Sequence, residues 1–122
     1  KLKTAEEIQL ELEAGNFLDL VRYNSGTKTV EDGYILDQRK MSGGQGGDVN
    51  AQLIDGQWIV EFKRKLASGL EGDVQMSLDQ VYNIGFAIHE DYSNSRFHHV
   101  SLGYRLGFDN TEEGVEINAI KK

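Results

Sequence analysis

The chain has no cysteine and no proline among its 122 residues. Without cysteine it can form no disulfide, thiolate metal site or Cys-ligated iron–sulfur cluster, and no haem can attach through a C-x-x-C-H motif. The compartment stays open, because an oxidising space tolerates a Cys-free protein. Without proline, the turns fall to the 14 glycines and to Asn and Asp. No stretch approaches the roughly 20 apolar residues of a membrane-spanning helix. The opening Lys1-Leu2-Lys3-Thr4-Ala5-Glu6-Glu7 lacks the apolar core of a signal peptide and begins without Met. Positive charge is scarce too: 13 Lys and Arg stand against 20 Asp and Glu, a net charge of −7. That balance excludes a nucleic-acid binder, which needs a cationic surface to displace counterions.

What is present suits one globular core. Hydrophobic residues make up 39%, with five Phe, five Tyr and one Trp, too many for a disordered chain. The length is that of one ordinary domain, so residues 1–122 are expected to form a single domain, excised from a larger protein.

Ile8-Gln9-Leu10-Glu11-Leu12-Glu13 alternates apolar and polar residues with period two, which predicts a half-buried strand ending at Gly15, with a short helix, favoured by Glu, Leu and Ala, as the alternative. A second strand runs Phe17 to Tyr23 and closes at Asn24-Ser25-Gly26. A third spans Val30 to Leu36, with Asp32-Gly33 as a turn or bulge signal. The run from Met41 through Ser42-Gly43-Gly44-Gln45-Gly46-Gly47 to Asp48 is the densest in glycine. It is a flexible loop that lets the backbone approach a flat ligand, and no Gly-Lys-Ser/Thr makes it a phosphate loop. Val49 to Ile54, Asp55-Gly56 and Trp58 to Leu66 read as a hairpin, with Trp58 expected to be largely buried. Further strands are expected at Val74–Leu78, at Val81–His89 (buried on both faces), at Arg96–Leu106 and at Val115–Ile120, with a polar loop at Glu90–Ser95. Many short strands and no long helical stripe predict an all-β fold, an antiparallel β-sandwich or barrel.

The chemistry-bearing side chains are few. Histidines occur only at His89, His98 and His99. His98 and His99 are adjacent on a presumed strand and point to opposite faces, so a three-histidine zinc site is disfavoured. His98 shares its face with Val100, Leu102, Tyr104 and Leu106, so it is the histidine aimed at a core or an apolar pocket. A hydrogen-bonded structural histidine is the plain alternative. Of the two methionines, Met76 reads as core filler, whereas Met41 opens the glycine-rich loop behind Asp37-Gln38-Arg39-Lys40. A thioether there suits an axial haem ligand, and Met with His is a known axial pair. Adjacent carboxylates at Glu6-Glu7, Glu90-Asp91 and Glu112-Glu113 read as solvated charge, and Ser101 lacks a nucleophile elbow.

Several motifs together carry a family resemblance. They are Gly15-Asn16-Phe17-Leu18-Asp19-Leu20-Val21-Arg22, Gly33-Tyr34-Ile35-Leu36-Asp37 and Asp55-Gly56-Gln57-Trp58-Ile59-Val60-Glu61-Phe62-Lys63-Arg64-Lys65-Leu66. Tyr82-Asn83-Ile84-Gly85-Phe86-Ala87-Ile88-His89 and His98-His99-Val100-Ser101 complete the set. In this order they resemble the ethylbenzene dehydrogenase-related haem-binding domain (the cytochrome c-552/DMSO reductase-like haem-binding domains), roughly from Phe17 to Phe108. The resemblance implies an immunoglobulin-like or DOMON-like antiparallel β-sandwich holding one non-covalent b-type haem between two protein axial ligands.

In the gamma subunits of the molybdenum enzymes of this family, the ligands are a Met and a Lys just before a Val/Ile-Ser/Thr pair. Here the corresponding position, two before Val100-Ser101, is His98, a departure that is chemically sensible because a neutral imidazole ligates haem iron well. The implied ligands are therefore Met41 and His98, with Met76 and His99 as second choices. Phe86, Ile88, Val100 and Leu102 are possible pocket walls, and Arg64, Lys65 and Arg96 are possible propionate partners. Two strong ligands leave no open coordination position, so the implied role is single-electron relay without catalysis. The implied setting is a periplasmic assembly, with a multihaem cytochrome or molybdenum-enzyme subunits as redox partners. The rival reading is a carbohydrate- or other ligand-binding β-sandwich, with Trp58 and tyrosines exposed as stacking platforms. A structural accessory domain is a third.

Overall fold

A computed structural model describes residues 2–41, 47–90 and 98–122. It contains one helix, α1 (Ala5–Glu13), and ten short strands among the described residues. The strands are β1 (Leu18–Asn24), β2 (Thr29–Ile35), β3 (Arg39–Lys40), β4 (Asp48–Ile54), β5 (Gln57–Lys63), β6 (Tyr82–Ile84), β7 (Ala87–His89), β8 (His98–Val100), β9 (Tyr104–Phe108) and β10 (Ile117–Ala119). All pairings are antiparallel except β9 with β10. The element content is that of the all-β, sandwich-class fold expected from the sequence. The chain divides into two compact units, Lys1–Gln75 and Met76–Lys122.

In the first unit, Ile8 to Glu13 lies in helix α1 and not in the expected strand. Its ends explain why. Thr4 Oγ1 accepts from the Glu7 amide at 3.2 Å, and Glu7 Oε2 accepts from the Thr4 amide at 2.7 Å, a complete capping box. At the other end Gly15 takes φ +78°. Its amide bonds to the Leu12 carbonyl and the Asn16 amide to the Glu11 carbonyl, the two bonds of a Schellman stop. The period-two pattern loses to these caps, and only Leu12 of the helix is buried.

Strands β1, β2 and β3 form one sheet, with β1 and β2 in register from Leu18 opposite Ile35 to Asn24 opposite Thr29. The Asn24 side chain caps the turn by accepting from the Gly26 and Thr27 amides at 2.9 and 3.2 Å. Strand β2 passes straight through Asp32-Gly33, so that dipeptide is neither turn nor bulge. Buried Tyr34 meets Phe17 edge-on at 5.8 Å, and Gly72, at φ +91°, gives its ring room: a Cβ there would lie 2.7 Å from Tyr34 Cδ1. Strands β4 and β5 form the expected hairpin, with Asp55 and Gly56 both at positive φ. This ribbon exposes apolar side chains on both faces. Trp58 is 52% exposed, contrary to expectation, because a two-stranded ribbon covers neither of its own faces.

In the second unit, β10, β9 and β6 form a three-stranded sheet, and Tyr82 meets Phe108 edge-on at 6.3 Å. Strands β7 and β8 form a separate antiparallel pair. Three strand expectations fail here. Residues 74–78 form no strand, and Val81–His89 breaks at Gly85-Phe86 into β6 and β7, with β7 exposed. The long strand Arg96–Leu106 is interrupted at residues 101–103, where the Ser101 side chain accepts from the Phe86 amide at 2.8 Å. Residues 42–46 of the glycine-rich loop, the loop at 91–95, Arg96 and Phe97 lie outside the described residues.

Candidate functional site

Met41 follows β3, whose register places Tyr34 opposite Lys40 and Ile35 opposite Arg39. The next position therefore brings Met41 over Gly33. A Cβ on Gly33 would lie 2.9 Å from Met41 Sδ and 2.8 Å from Met41 Cα, and would press on the Lys40 carbonyl. Only glycine admits this approach. Met41 is half-buried at the sheet edge, outside the packed core of Leu12 and Tyr34, and Lys40 Nζ lies 5.8 Å from the Tyr34 ring centre.

Behind this edge lies a buried polar cluster that no motif singled out. Asp19, Asp32 and Asp73 each place one carboxylate oxygen within 4.8 Å of the others. Arg64 Nη1 donates to Asp19 Oδ2 at 2.5 Å and Nη2 to the Val74 carbonyl at 3.0 Å, and the Val74 amide donates to Asp19 Oδ2 at 2.9 Å. Ser68 Oγ donates to Asp73 Oδ2 at 2.5 Å. This network ties the segment after β5 onto β1. It also commits the Arg64 guanidinium, which the sequence had offered to a propionate. Lys65 is exposed.

In the second unit, His98 stands directly opposite His89 across the β7–β8 pair, with ring centres 5.3 Å apart. His99 pairs with Ile88, so its side chain leaves by the other face. The expected separation of His98 from His99 holds, and Val100 shares the His98 face through its pairing with Ala87. His89, which the sequence offered only as part of a three-histidine zinc site, is set against His98 by the β7–β8 register. Phe86, Ile88, Val100 and Leu102 are all exposed, and Met76 is half-buried.

These donors are chemically apt for an iron porphyrin. The Met41 thioether has a shaped seat at a sheet edge, the imidazoles are exposed, and large apolar side chains stand uncovered in each unit. These 122 residues contain no cysteine that could form a thioether link.

The first unit thus presents a soft sulfur donor and the second exposed imidazoles, each on a mostly β framework. The Ethylbenzene dehydrogenase family matches residues 3–101, and the chain belongs to that family. It is also 47% identical over 96 residues to "Cytochrome c-552" of Stutzerimonas stutzeri, which covers 78% of this chain. The chain spans about a third of that relative's length, since the match covers 33% of it. No solved structure matches.

Proposed function

We propose that the chain binds one haem b non-covalently and relays single electrons, with Met41 and His98 as the axial donors. The 47% identity to a protein named as a cytochrome carries this reading, and the seat for Met41 on Gly33 supports the choice of sulfur. When bound, the haem supplies a one-electron Fe(III)/Fe(II) couple. The chain supplies ligand identity and an apolar surround, and a Met donor favours the ferrous state and raises the potential. Filling both axial positions leaves the domain without catalysis of its own. It serves a larger periplasmic redox assembly whose partner is a multihaem cytochrome or the subunits of a molybdenum enzyme. In this proposal residues 1–122 act as one haem-binding domain. Among the described residues no helix is long and apolar enough to cross a membrane.

Absorption spectra of the oxidised and reduced protein test the reading. A Soret band with a low-spin reduced spectrum, lost in Met41→Ala and in His98→Ala, supports it. A colourless chain that takes up no added haemin overturns it, and an unchanged spectrum in either variant overturns that ligand. The exposed Trp58 favours a second reading, a ligand-binding module that stacks sugars on the β4–β5 ribbon. Glycan affinity in a chain that takes up no haemin would establish it.

A further inference from the structure

We propose that His89 and His98 form a two-imidazole chelate for a divalent transition metal, with Zn2+ as the best-suited ion. The argument is geometric. The β7–β8 register makes the two residues direct cross-strand partners, so both side chains leave the same face. Their ring centres lie 5.3 Å apart and their planes are inclined by 33°. A metal bonded to an imidazole nitrogen at 2.0–2.1 Å lies about 3.2 Å from the ring centre, so rings at this spacing subtend about 110° at a shared ion. That angle suits tetrahedral Zn2+, and water completes the shell.

Both strands are exposed, so the ion has access, and the net charge of −7 favours the approach of cations. The β7–β8 pairing fixes both backbones beforehand, which lowers the ordering cost of closing the chelate. A bound ion would in turn staple a two-stranded ribbon, an element with little stability of its own. The chelate does not depend on the haem reading. Both use His98, so the chelate forms in the haem-free chain, and His89 belongs to the chelate alone.

Calorimetric titration of ZnCl2 into the haem-free 122-residue chain tests the proposal. The chain should bind one equivalent that His99→Ala retains. Loss of an outer partner of a metal ligand costs about 10–100-fold in affinity, and loss of a ligand itself costs at least as much, so His89→Ala and His98→Ala should each weaken binding tenfold or more. Unchanged zinc affinity in His89→Ala overturns the chelate, as does an equal loss in His99→Ala. Circular dichroism of each variant confirms the fold.

Haem spectra of the same variants keep the two readings apart. A His98→Ala chain that loses zinc but keeps its low-spin spectrum overturns the axial assignment and supports the chelate. One that loses the spectrum but keeps zinc does the reverse.

Discussion

Met41 sits on Gly33 so closely that no side chain can be added between them: a Cβ on Gly33 would stand 2.9 Å from the Met41 sulfur. Gly33 is inside strand β2, where glycine usually weakens pairing, so its place there calls for a reason. The reason is the neighbour. The absent Cβ lets the chain after β3 lie flat on β2, which fixes the sulfur at the sheet edge and keeps it out of the core.

Gly33→Ala should therefore push the Met41 backbone and the Lys40 carbonyl off β2. Overpacking of this kind costs about 1–3 kcal/mol, readable as a lower urea midpoint. In the haem-loaded protein the same change should lower the reduction potential, because the sulfur no longer reaches its place. Met41→Leu, which keeps the bulk and removes the sulfur, should lower the potential with little loss of stability. If both variants keep the wild-type potential, Met41 is not a ligand.

The Asp19–Arg64 pair carries a second prediction. The Asp19 side chain is 9% exposed and that of Arg64 23%, so the pair is largely withdrawn from water. Asp19→Ala leaves the guanidinium without its carboxylate and frees the Val74 amide, at a cost of about 3 kcal/mol. Equilibrium unfolding should show that loss. By contrast, Arg22→Ala breaks a pair whose side chains are 41% and 37% exposed, and should cost under about 1 kcal/mol. Equal losses in the two variants would mean that burial does not set the strength of these pairs.

The legible parts of the sequence were those fixed by local chemistry. Asp55-Gly56 announced the β4–β5 hairpin because both positions need positive φ, and Asn24-Ser25-Gly26 announced the β1–β2 turn through the Asn24 side chain. The separation of His98 from His99 followed from strand geometry alone. What failed depended on partners distant in the chain. The exposure of Trp58 is decided by which strands flank its ribbon, and alternation within the strand does not carry that information. Likewise, Asp19, Asp32 and Asp73 lie far apart in sequence and look like ordinary acidic residues until β1, β2 and the loop after β5 gather them. Gly33 resembled a turn signal because a missing side chain does not say which neighbour needs the space.

Helix α1 misled in a more instructive way, since both competing signals were local. Ile8, Leu10 and Leu12 alternate as in a strand, while Thr4 and Glu7 form a capping box. If the cap decides, Thr4→Ala should remove about 1 kcal/mol and reduce helical ellipticity near 222 nm more than Ile8→Ala does. A larger effect of Ile8→Ala would hand the decision to the apolar pattern.

Trp58 supplies the last prediction because it is the sole tryptophan in the chain, so its emission reports one position. Being half exposed on β5, it should emit near the aqueous maximum in the haem-free protein, and acrylamide should quench it readily. The two functional readings then diverge. Haem absorbs in the range of tryptophan emission and, held within so small a domain, should extinguish the signal as one equivalent is added. A sugar has no such absorption; stacked on the indole, it should shift the emission to the blue and shield it from acrylamide. Trp58→Phe should abolish the sugar response and weaken glycan binding. The same variant should leave the Soret band in place, because the proposed donors, Met41 and His98, are unchanged and an aromatic ring still covers the strand.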